Sequence, residues 1–230
     1  MDVRLQMGST MVVSGPTSSG KTVFVMKLLE AKREVFDIPP TQVYWFYGHK
    51  TAMHDVLIKR QYQMIPGIPE NFDFIKPNSL VMLDDLMVEG QDSRVITELF
   101  IRGAHHVPFF IIATMQNVFH QSKETRSRML NTHYLALFKN PRDQQQVATL
   151  SNQMYPSSKR YLVSAYRDAT KGNPHSYLFI DMRQATPDIL RVRTRILPSE
   201  GPMVAYIDKQ SFGDLAISQF RNEGQQVQYS

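Results

Sequence analysis

Short apolar runs alternate with segments of helical periodicity along the first two thirds of the chain. Five runs are apolar almost throughout, as in strands that are buried on both faces of a sheet. They are Met11–Ser14, Val43–Tyr47, Leu80–Leu83, Phe109–Ala113 and Tyr134–Phe138. Between them, Lys21–Arg33 and Ser93–His106 repeat apolar residues at helical spacing. This alternation predicts an α/β fold with a mostly parallel central sheet and helices on both faces.

The pattern is weaker after residue 140. It predicts helices over Pro141–Met154 and Ser157–Asp168, and edge strands over Ser176–Asp181 and Leu190–Leu197. The composition changes beyond Pro198, where Gly and Pro are typical of a linker. We therefore expect a main domain over residues 1–197 and a C-terminal tail over residues 198–230, for which a docking role is a hypothesis.

The composition is that of a chain with one substantial core. Of its 230 residues, 42% are hydrophobic and 20% are charged. The sequence contains no apolar run of about 18 residues, the length that a membrane-spanning helix needs. The segment Met1–Arg4 lacks the pattern of a secretory signal, so none is expected. The absence of cysteine excludes a disulfide scaffold, thiolate catalysis and cysteine-ligated zinc, and permits a reducing compartment.

The first predicted strand leads into a phosphate-binding loop. The residues from 15 to 22 match the pattern G-x-x-x-x-G-K-[ST] at every position, and they are Gly15, Pro16, Thr17, Ser18, Ser19, Gly20, Lys21 and Thr22. The glycines let the backbone curl so that its amides point at phosphate oxygens, and the following helix adds its positive end. Lys21 can reach the β- and γ-phosphates, and the Thr22 hydroxyl can bind Mg²⁺. The segment predicts a site for ATP.

Two carboxylates follow the third predicted strand. Asp84 comes directly after Leu80–Leu83 and is interpreted as the Mg²⁺ ligand, which acts through water. Asp85 is interpreted as the residue that polarises the attacking water. An Asp pair after a strand is also typical of a turn or a helix cap. The preceding phosphate loop favours the catalytic interpretation.

The order of the strands along the chain bears on the type of nucleotide-binding protein. The strand Val43–Tyr47 lies between the loop strand and the acidic strand in sequence, which predicts an extra strand between the two nucleotide strands of the sheet. That arrangement is typical of RecA-like (ASCE-type) P-loop ATPases with a catalytic acid and a polar sensor, rather than of small kinases. Gln116, just past Phe109–Ala113, is the predicted sensor of the γ-phosphate or the water; a helix-capping amide is the alternative.

Several segments resemble one family of viral proteins. They are the phosphate loop, Leu80–Asp85, Arg102–His106, Gln116–His120 and Arg126–Asp143. Together they look like the poxvirus-type genome-packaging ATPases and their relatives in large mobile DNA elements and small DNA viruses, within the FtsK/HerA class of DNA-pumping motors. The resemblance covers roughly residues 8–170, and its later segments are more specific than the loop.

The resemblance implies a homo-oligomeric ring, pentameric or hexameric, that hydrolyses ATP to drive double-stranded DNA into a capsid. It also implies a capsid or portal partner and a location inside the infected host cell. In such rings a neighbouring subunit supplies an arginine to the γ-phosphate. Arg126 occupies that place in the motif and Arg128 is the nearby substitute; contact with solvent or with phosphate backbone is the alternative for both. Many relatives carry Glu at the catalytic position where this chain has Asp85, with Glu89 as the weaker candidate.

The net charge of +5 is unevenly distributed. Residues 121–195 contain 13 basic and 5 acidic side chains, and the rest of the chain is slightly acidic. This surplus is typical of a protein with a polyanion partner, and equally of one whose basic face only keeps it soluble. Combined with an ATP site, it makes five side chains candidates for contact with DNA phosphates: Lys139, Arg142, Lys159, Arg160 and Arg167. A helicase acting on single strands and an ATP-switched assembly adaptor are the alternative functions.

Overall fold

The computed structural model describes residues 2–49, 53–86, 93–102, 108–117, 131–142 and 144–208. Its strands are β1 Thr10–Ser14, β2 Gln42–Tyr47, β3 Gln63–Pro66, β4 Ser79–Asp84, β5 Phe110–Met115, β6 Tyr134–Phe138, β7 Tyr177–Asp181, β8 Val192–Thr194 and β9 Val204–Tyr206. Its α-helices are α1 Lys21–Glu30, α2 Lys32–Val35, α3 Met53–Lys59, α4 Ser93–Arg102, α5 Gln145–Met154 and α6 Tyr161–Ala169. Short 3₁₀ helices cover Asp188–Leu190 and Pro198–Glu200.

The described strands form one sheet in the order β3-β2-β4-β5-β1-β6-β7-β8-β9. All pairings from β3 to β6 are parallel, and β7, β8 and β9 are added in antiparallel orientation. The sheet is therefore mostly parallel, as predicted. Strand β5 lies between β1 and β4, which confirms the predicted extra strand between the strand that carries the phosphate loop and the strand that ends in Asp84.

Successive strand residues point to opposite sides, so the apolar strands give the sheet two apolar faces. Helices cover both of these faces. Tyr44 and Phe46 contribute to a core that also contains buried residues of α4, α5 and α6. Val43 and Trp45 contribute to the opposite core, which contains the buried residues of α1. The aromatic strand β2 is thus buried sheet, as its composition predicted. Among the described helices, none has the length and apolar character needed to cross a bilayer.

Several predicted helix boundaries need correction. The segment Lys21–Arg33 is not one helix, because Ala31 leaves the helical region with φ −92° and ψ 20° between α1 and α2. Helix α5 starts at Gln145 rather than at Pro141; before it, the Asn140 side chain accepts a hydrogen bond from the Arg142 amide and forms a turn. Helix α6 starts at Tyr161 rather than at residue 157, after backbone turns over residues 155–161. The predicted helix Ser93–His106 corresponds to α4, and residues 103–106 lie outside the described residues.

The antiparallel end of the sheet also differs from the prediction. Neither β7 nor β8 is an edge strand: each pairs on both sides, and within the described residues the edges are β3 and β9. Strand β8 covers only Val192–Thr194, because Arg195 adopts a left-handed φ of 57°. Strand β9 lies beyond residue 198, so the sheet extends into the segment assigned to the tail. Strand β3 was not predicted; it is partly exposed, and its Pro66 suits an edge.

A buried cluster of charged side chains lies at the end of the sheet opposite the phosphate loop. Asp181 is fully buried at the end of β7 and accepts hydrogen bonds from Arg183 at 2.7 Å and Arg193 at 3.3 Å. Desolvation lowers the pKa of the Arg193 guanidinium, and the Asp181 charge opposes this shift. The Arg191 guanidinium donates to three backbone carbonyl groups nearby. Three arginines of the basic segment therefore stabilise the fold and are not free to bind DNA.

Candidate nucleotide site

The phosphate loop lies at the carboxyl end of β1, in the middle of the sheet. Strand β1 pairs with β5 on one side and β6 on the other, and the Gly15 amide donates to the Met115 carbonyl at 3.1 Å. The loop closes on itself through the Ser19 amide, which donates to the Pro16 carbonyl at 3.2 Å. Gly20 precedes α1 with a left-handed φ of 102°. The strand, the loop and the helix thus follow one another as the sequence predicted.

Close packing explains the first glycine of the loop. A Cβ at Gly15 would lie 2.7 Å from the Phe138 Cβ and 2.7 Å from the Ser19 Oγ. Phe138 is the last residue of β6, so any side chain at position 15 would push the loop away from the sheet. Gly20 is required for a different reason, since its positive φ is unfavourable for residues with a Cβ.

The loop offers unpaired donors to an anion. The first N–H groups of a helix have no carbonyl partner within it, and Gly20 provides no side-chain cap for α1. The Ser19 hydroxyl is buried and has no hydrogen-bond partner among the described residues. Burying such a group is costly unless a ligand completes its hydrogen bonding. These residues therefore fit a phosphate group at the start of α1.

Lys21 is held over the same loop. Its Nζ donates to the Gly15 carbonyl at 2.6 Å and to the Pro16 carbonyl at 3.0 Å. Burial lowers the pKa of the Lys21 amine, and the charges of Asp85 and Asp84 oppose that shift. The ammonium group thus lies within electrostatic range of both carboxylates. Thr22 lies half-buried in the first turn of α1, next to this lysine.

Asp84 is oriented by both neighbours of its strand. One carboxylate oxygen accepts a hydrogen bond from the Thr114 hydroxyl of β5 at 3.0 Å, and the other accepts from the indole Nε1 of Trp45 on β2 at 3.2 Å. Both donors are buried. A carboxylate fixed in this way has a defined direction, as the ligands of metal sites do. A carboxylate and a hydroxyl, Asp84 and Thr22, are donors that suit Mg²⁺.

Asp85 is exposed and adopts an uncommon backbone conformation. Its φ of 56° is left-handed, a region that Asp tolerates better than most residues. The Asp85 amide donates to the Thr114 hydroxyl at 3.0 Å, and the same hydroxyl donates to the Asp84 carboxylate. Backbone strain of this kind persists where the surroundings hold it and is typical of functional sites. Thr114 therefore links the two acidic residues.

Gln116 follows β5 directly and is exposed. Because β4, β5 and β1 are adjacent and parallel, their carboxyl ends meet at one edge of the sheet. The structure thus brings the phosphate loop, Asp84, Asp85 and Gln116 to that edge. Arg126, its substitute Arg128 and Glu89 lie outside the described residues.

The five basic candidates do not lie at one place. Lys139 and Arg142 belong to the loop between β6 and α5, next to the phosphate loop edge. Lys159 and Arg160 lie in the turn between α5 and α6, at the opposite end of α5. Helix α5 has 10 residues, so this turn is roughly 15 Å from its start. Lys159 and Arg160 line a cavity of about 800 Å³ with Tyr206. Arg167 lies in the last turn of α6, and the side chains of all five candidates are exposed.

Three further residues of the site escaped sequence reasoning. Thr114 and Trp45 hold Asp84, and His175 contacts the phosphate loop: its Nδ1 lies 3.0 Å from the Ser19 carbonyl oxygen. Trp45 is the only Trp of the chain, and in the structure it lies beside Asp84, the predicted Mg²⁺ ligand. Nothing in the sequence near His175 marks it, because 156 residues separate it from Ser19.

Comparison with known proteins finds solved structures that are similar at low sequence identity. No family model matches the chain, and no curated protein matches it. Among solved structures, the genome packaging NTPase B204 of Sulfolobus turreted icosahedral virus 2 in complex with ATP-gammaS is 11% identical, with a TM-score of 0.47 over 86% of this chain and 97% of that chain. The same protein in complex with sulfate is 11% identical, with a TM-score of 0.48 over 85% and 97%. Both are structures of a viral genome packaging NTPase.

Proposed function

We propose that the chain is an ATPase motor that translocates double-stranded DNA into a viral capsid. The observation that carries the ATPase part is the meeting of three features at one sheet edge: a phosphate loop that contains unpaired donors and Lys21, the fixed Asp84 and the exposed Asp85. The motor part is supported by the sequence resemblance to packaging ATPases and by the exposed basic side chains after β6.

ATP binds with its phosphates on the loop and the start of α1. The unpaired amides and the Ser19 hydroxyl donate hydrogen bonds to the phosphate oxygens. Lys21 exchanges its two backbone carbonyl acceptors for the β- and γ-phosphates. The Thr22 hydroxyl and the Asp84 carboxylate are the residues that would hold Mg²⁺. That ion neutralises phosphate charge during phosphoryl transfer.

Hydrolysis requires an oriented water and stabilisation of the charge on the γ-phosphate. Asp85 accepts a hydrogen bond from the attacking water and polarises it, and the bond from its amide to the Thr114 hydroxyl holds its backbone. Gln116 contacts the γ-phosphate or the water from the neighbouring strand. Arg126, or Arg128 in its place, comes from the adjacent subunit and stabilises the transition state.

DNA contact in this proposal uses backbone phosphates rather than bases. Lys139, Arg142, Lys159, Arg160 and Arg167 are the candidate contacts, and such contacts weaken as salt rises. Their separation along α5 suits a long polyanion better than a compact anion. A ring, pentameric or hexameric, would place these side chains around a central duplex, and a capsid or portal protein would hold the ring.

The site is tested by two substitutions with opposite expectations. Lys21→Ala removes the ammonium group and is expected to abolish ATP binding. Asp85→Asn keeps the side chain volume and is expected to bind ATP and to stop hydrolysis. Tight ATP binding by the Lys21 variant, or normal turnover by the Asp85 variant, contradicts the assignment.

The subunit-boundary role of Arg126 is tested by mixing. Rings assembled from Lys21→Ala and Arg126→Ala subunits are expected to regain part of the activity, because some boundaries then combine an intact loop with an intact arginine. No recovery in verified mixed rings counts against the role. Strand separation of a forked duplex would indicate a helicase, and slow turnover that ignores all nucleic acids would indicate an assembly adaptor.

A further inference from the structure

We propose that His175 is a positioning residue that fixes the peptide between Ser19 and Gly20 in the conformation that binds phosphate. The inference rests on the proposed ATP site and adds a residue from a distant part of the chain to it. His175 lies in the loop between α6 and β7, which no motif of the sequence connects to nucleotide binding.

The contact is a directed hydrogen bond. The Nδ1 of His175 lies 3.0 Å from the Ser19 carbonyl oxygen. A carbonyl oxygen only accepts hydrogen bonds, so Nδ1 carries the proton and donates. The first helical bond of α1 runs from the Phe24 amide to the Gly20 carbonyl, so the Ser19 carbonyl lies one residue outside that ladder. His175 supplies a partner for it from another part of the chain.

The loop that carries His175 is itself held in place. The Asn173 side chain accepts a hydrogen bond from the His175 amide at 2.9 Å, and the Asn173 carbonyl accepts from the Ser176 amide at 3.2 Å. Immediately afterwards, Tyr177 begins β7 and pairs with Phe138, the residue that packs beside Gly15. The imidazole therefore reaches the phosphate loop from a fixed turn on the same edge of the sheet.

Holding this carbonyl sets the direction of a phosphate donor. In a planar trans peptide, the Ser19 carbonyl and the Gly20 N–H point in opposite directions. The bond to His175 on one side therefore fixes the N–H on the other. Glycine has the largest conformational freedom of any residue, so a peptide that ends in Gly20 loses most entropy when it is ordered for phosphate. The bond to His175 orders this peptide before phosphate binds and so reduces the entropy that binding costs.

The close approach of the imidazole leaves little room for a side chain at position 20. A Cβ there would lie 3.1 Å from the His175 Nδ1. The glycine thus serves two requirements, its left-handed φ of 102° and the contact with the imidazole.

Replacing His175 with Asn or with Gln tests the roles of its two ring nitrogens separately. In His175→Asn the side-chain NH₂ stands near the position of Nδ1, whereas in His175→Gln it stands near the position of Nε2. The loss of one neutral hydrogen bond corresponds to about a fivefold change in affinity. We expect His175→Ala and His175→Gln to weaken ATPγS binding about fivefold and His175→Asn to bind within about twofold of the wild type. Turnover at saturating ATP should change less than KM in all three.

Binding of a second ligand tests whether the loss of affinity arises at the phosphate loop. Inorganic tripolyphosphate has the phosphates of ATP without its base and ribose, so the same losses are expected with it if His175 acts on the phosphate loop. Lys171→Ala is the matched control, since it changes an exposed side chain of the same loop. Thermal melting confirms that each variant is folded. Wild-type affinity in His175→Ala, or an Asn variant as weak as the Ala variant, overturns the proposal. If the wild type does not bind ATPγS, the proposed function fails instead.

Discussion

The hydroxyl of Thr114 is the sharpest test of how the acidic pair is organised. It is fully buried on β5, donates to the Asp84 carboxylate at 3.0 Å and accepts from the Asp85 amide at 3.0 Å. Thr114→Val replaces it with a methyl group of similar size. The substitution removes both hydrogen bonds, so one Asp84 carboxylate oxygen loses the donor on β5 and the Asp85 amide loses its acceptor.

The size of the effect follows from these two bonds. A hydrogen bond to a charged group contributes about 1.5–3 kcal/mol, and a neutral hydrogen bond such as that of the Asp85 amide contributes about 0.5–1.5 kcal/mol. Loss of a residue that orients a metal ligand typically lowers affinity or activity about 10- to 100-fold. We therefore expect kcat to fall by about that factor. KM for ATP should change little, because Thr114 makes no contact with Lys21 or the phosphate loop among the contacts described above.

The assay is phosphate release at saturating ATP, measured over a range of Mg²⁺ concentrations. A looser Asp84 should raise the Mg²⁺ concentration needed for half-maximal rate. Thr114→Ser keeps the hydroxyl and serves as the control; it should retain most of the activity. If Thr114→Val hydrolyses ATP as fast as Thr114→Ser, with the same Mg²⁺ dependence, the hydroxyl does not organise the site and the reasoning is refuted.

Three other predictions concern stability and DNA. Asp181→Asn should lower the free energy of unfolding by about 3 kcal/mol in urea titration, because it removes the carboxylate charge that pairs with the buried Arg193 and the half-buried Arg183; the exposed Asp188→Asn should change it by less than about 0.5 kcal/mol. Burial raises the pKa of Tyr134 to about 12, so the unfolded chain loses that proton first and stability should fall from about pH 10 to 12. Tyr134→Phe should flatten this fall, and an unchanged pH profile would contradict it. Lys159→Gln and Arg160→Gln should each reduce the salt dependence of duplex binding with ATPase activity unchanged; an unaltered slope removes them from the DNA surface.

The parts of the fold that follow from local sequence were predicted. Apolar runs define β1, β2, β4, β5 and β6, and their alternation with helices gives the parallel sheet. The phosphate loop is a contiguous pattern, so its residues needed no knowledge of the fold. The order of motifs along the chain predicted an extra strand between β1 and β4, and the structure identifies it as β5.

Features that depend on distant contacts were not predicted. Whether β8 lies at an edge depends on β9, a strand of three residues with exposed Val204. The partners of Asp84 come from two neighbouring strands, so only the sheet order brings them together. His175 contacts Ser19 because antiparallel β7 begins at the edge where parallel β6 ends. The turn at Asn140 depends on a side-chain hydrogen bond that hydrophobic periodicity does not report.

The central claim, that ATP hydrolysis is coupled to duplex DNA, has one direct measurement. ATP turnover of a sample confirmed to be a ring is compared without nucleic acid, with single strands and with double-stranded DNA at low salt, with Asp85→Asn as the inactive control. The proposal predicts that duplex DNA raises turnover more than single strands do and that the stimulation declines as salt increases. Turnover that duplex DNA leaves unchanged at low salt would contradict the motor.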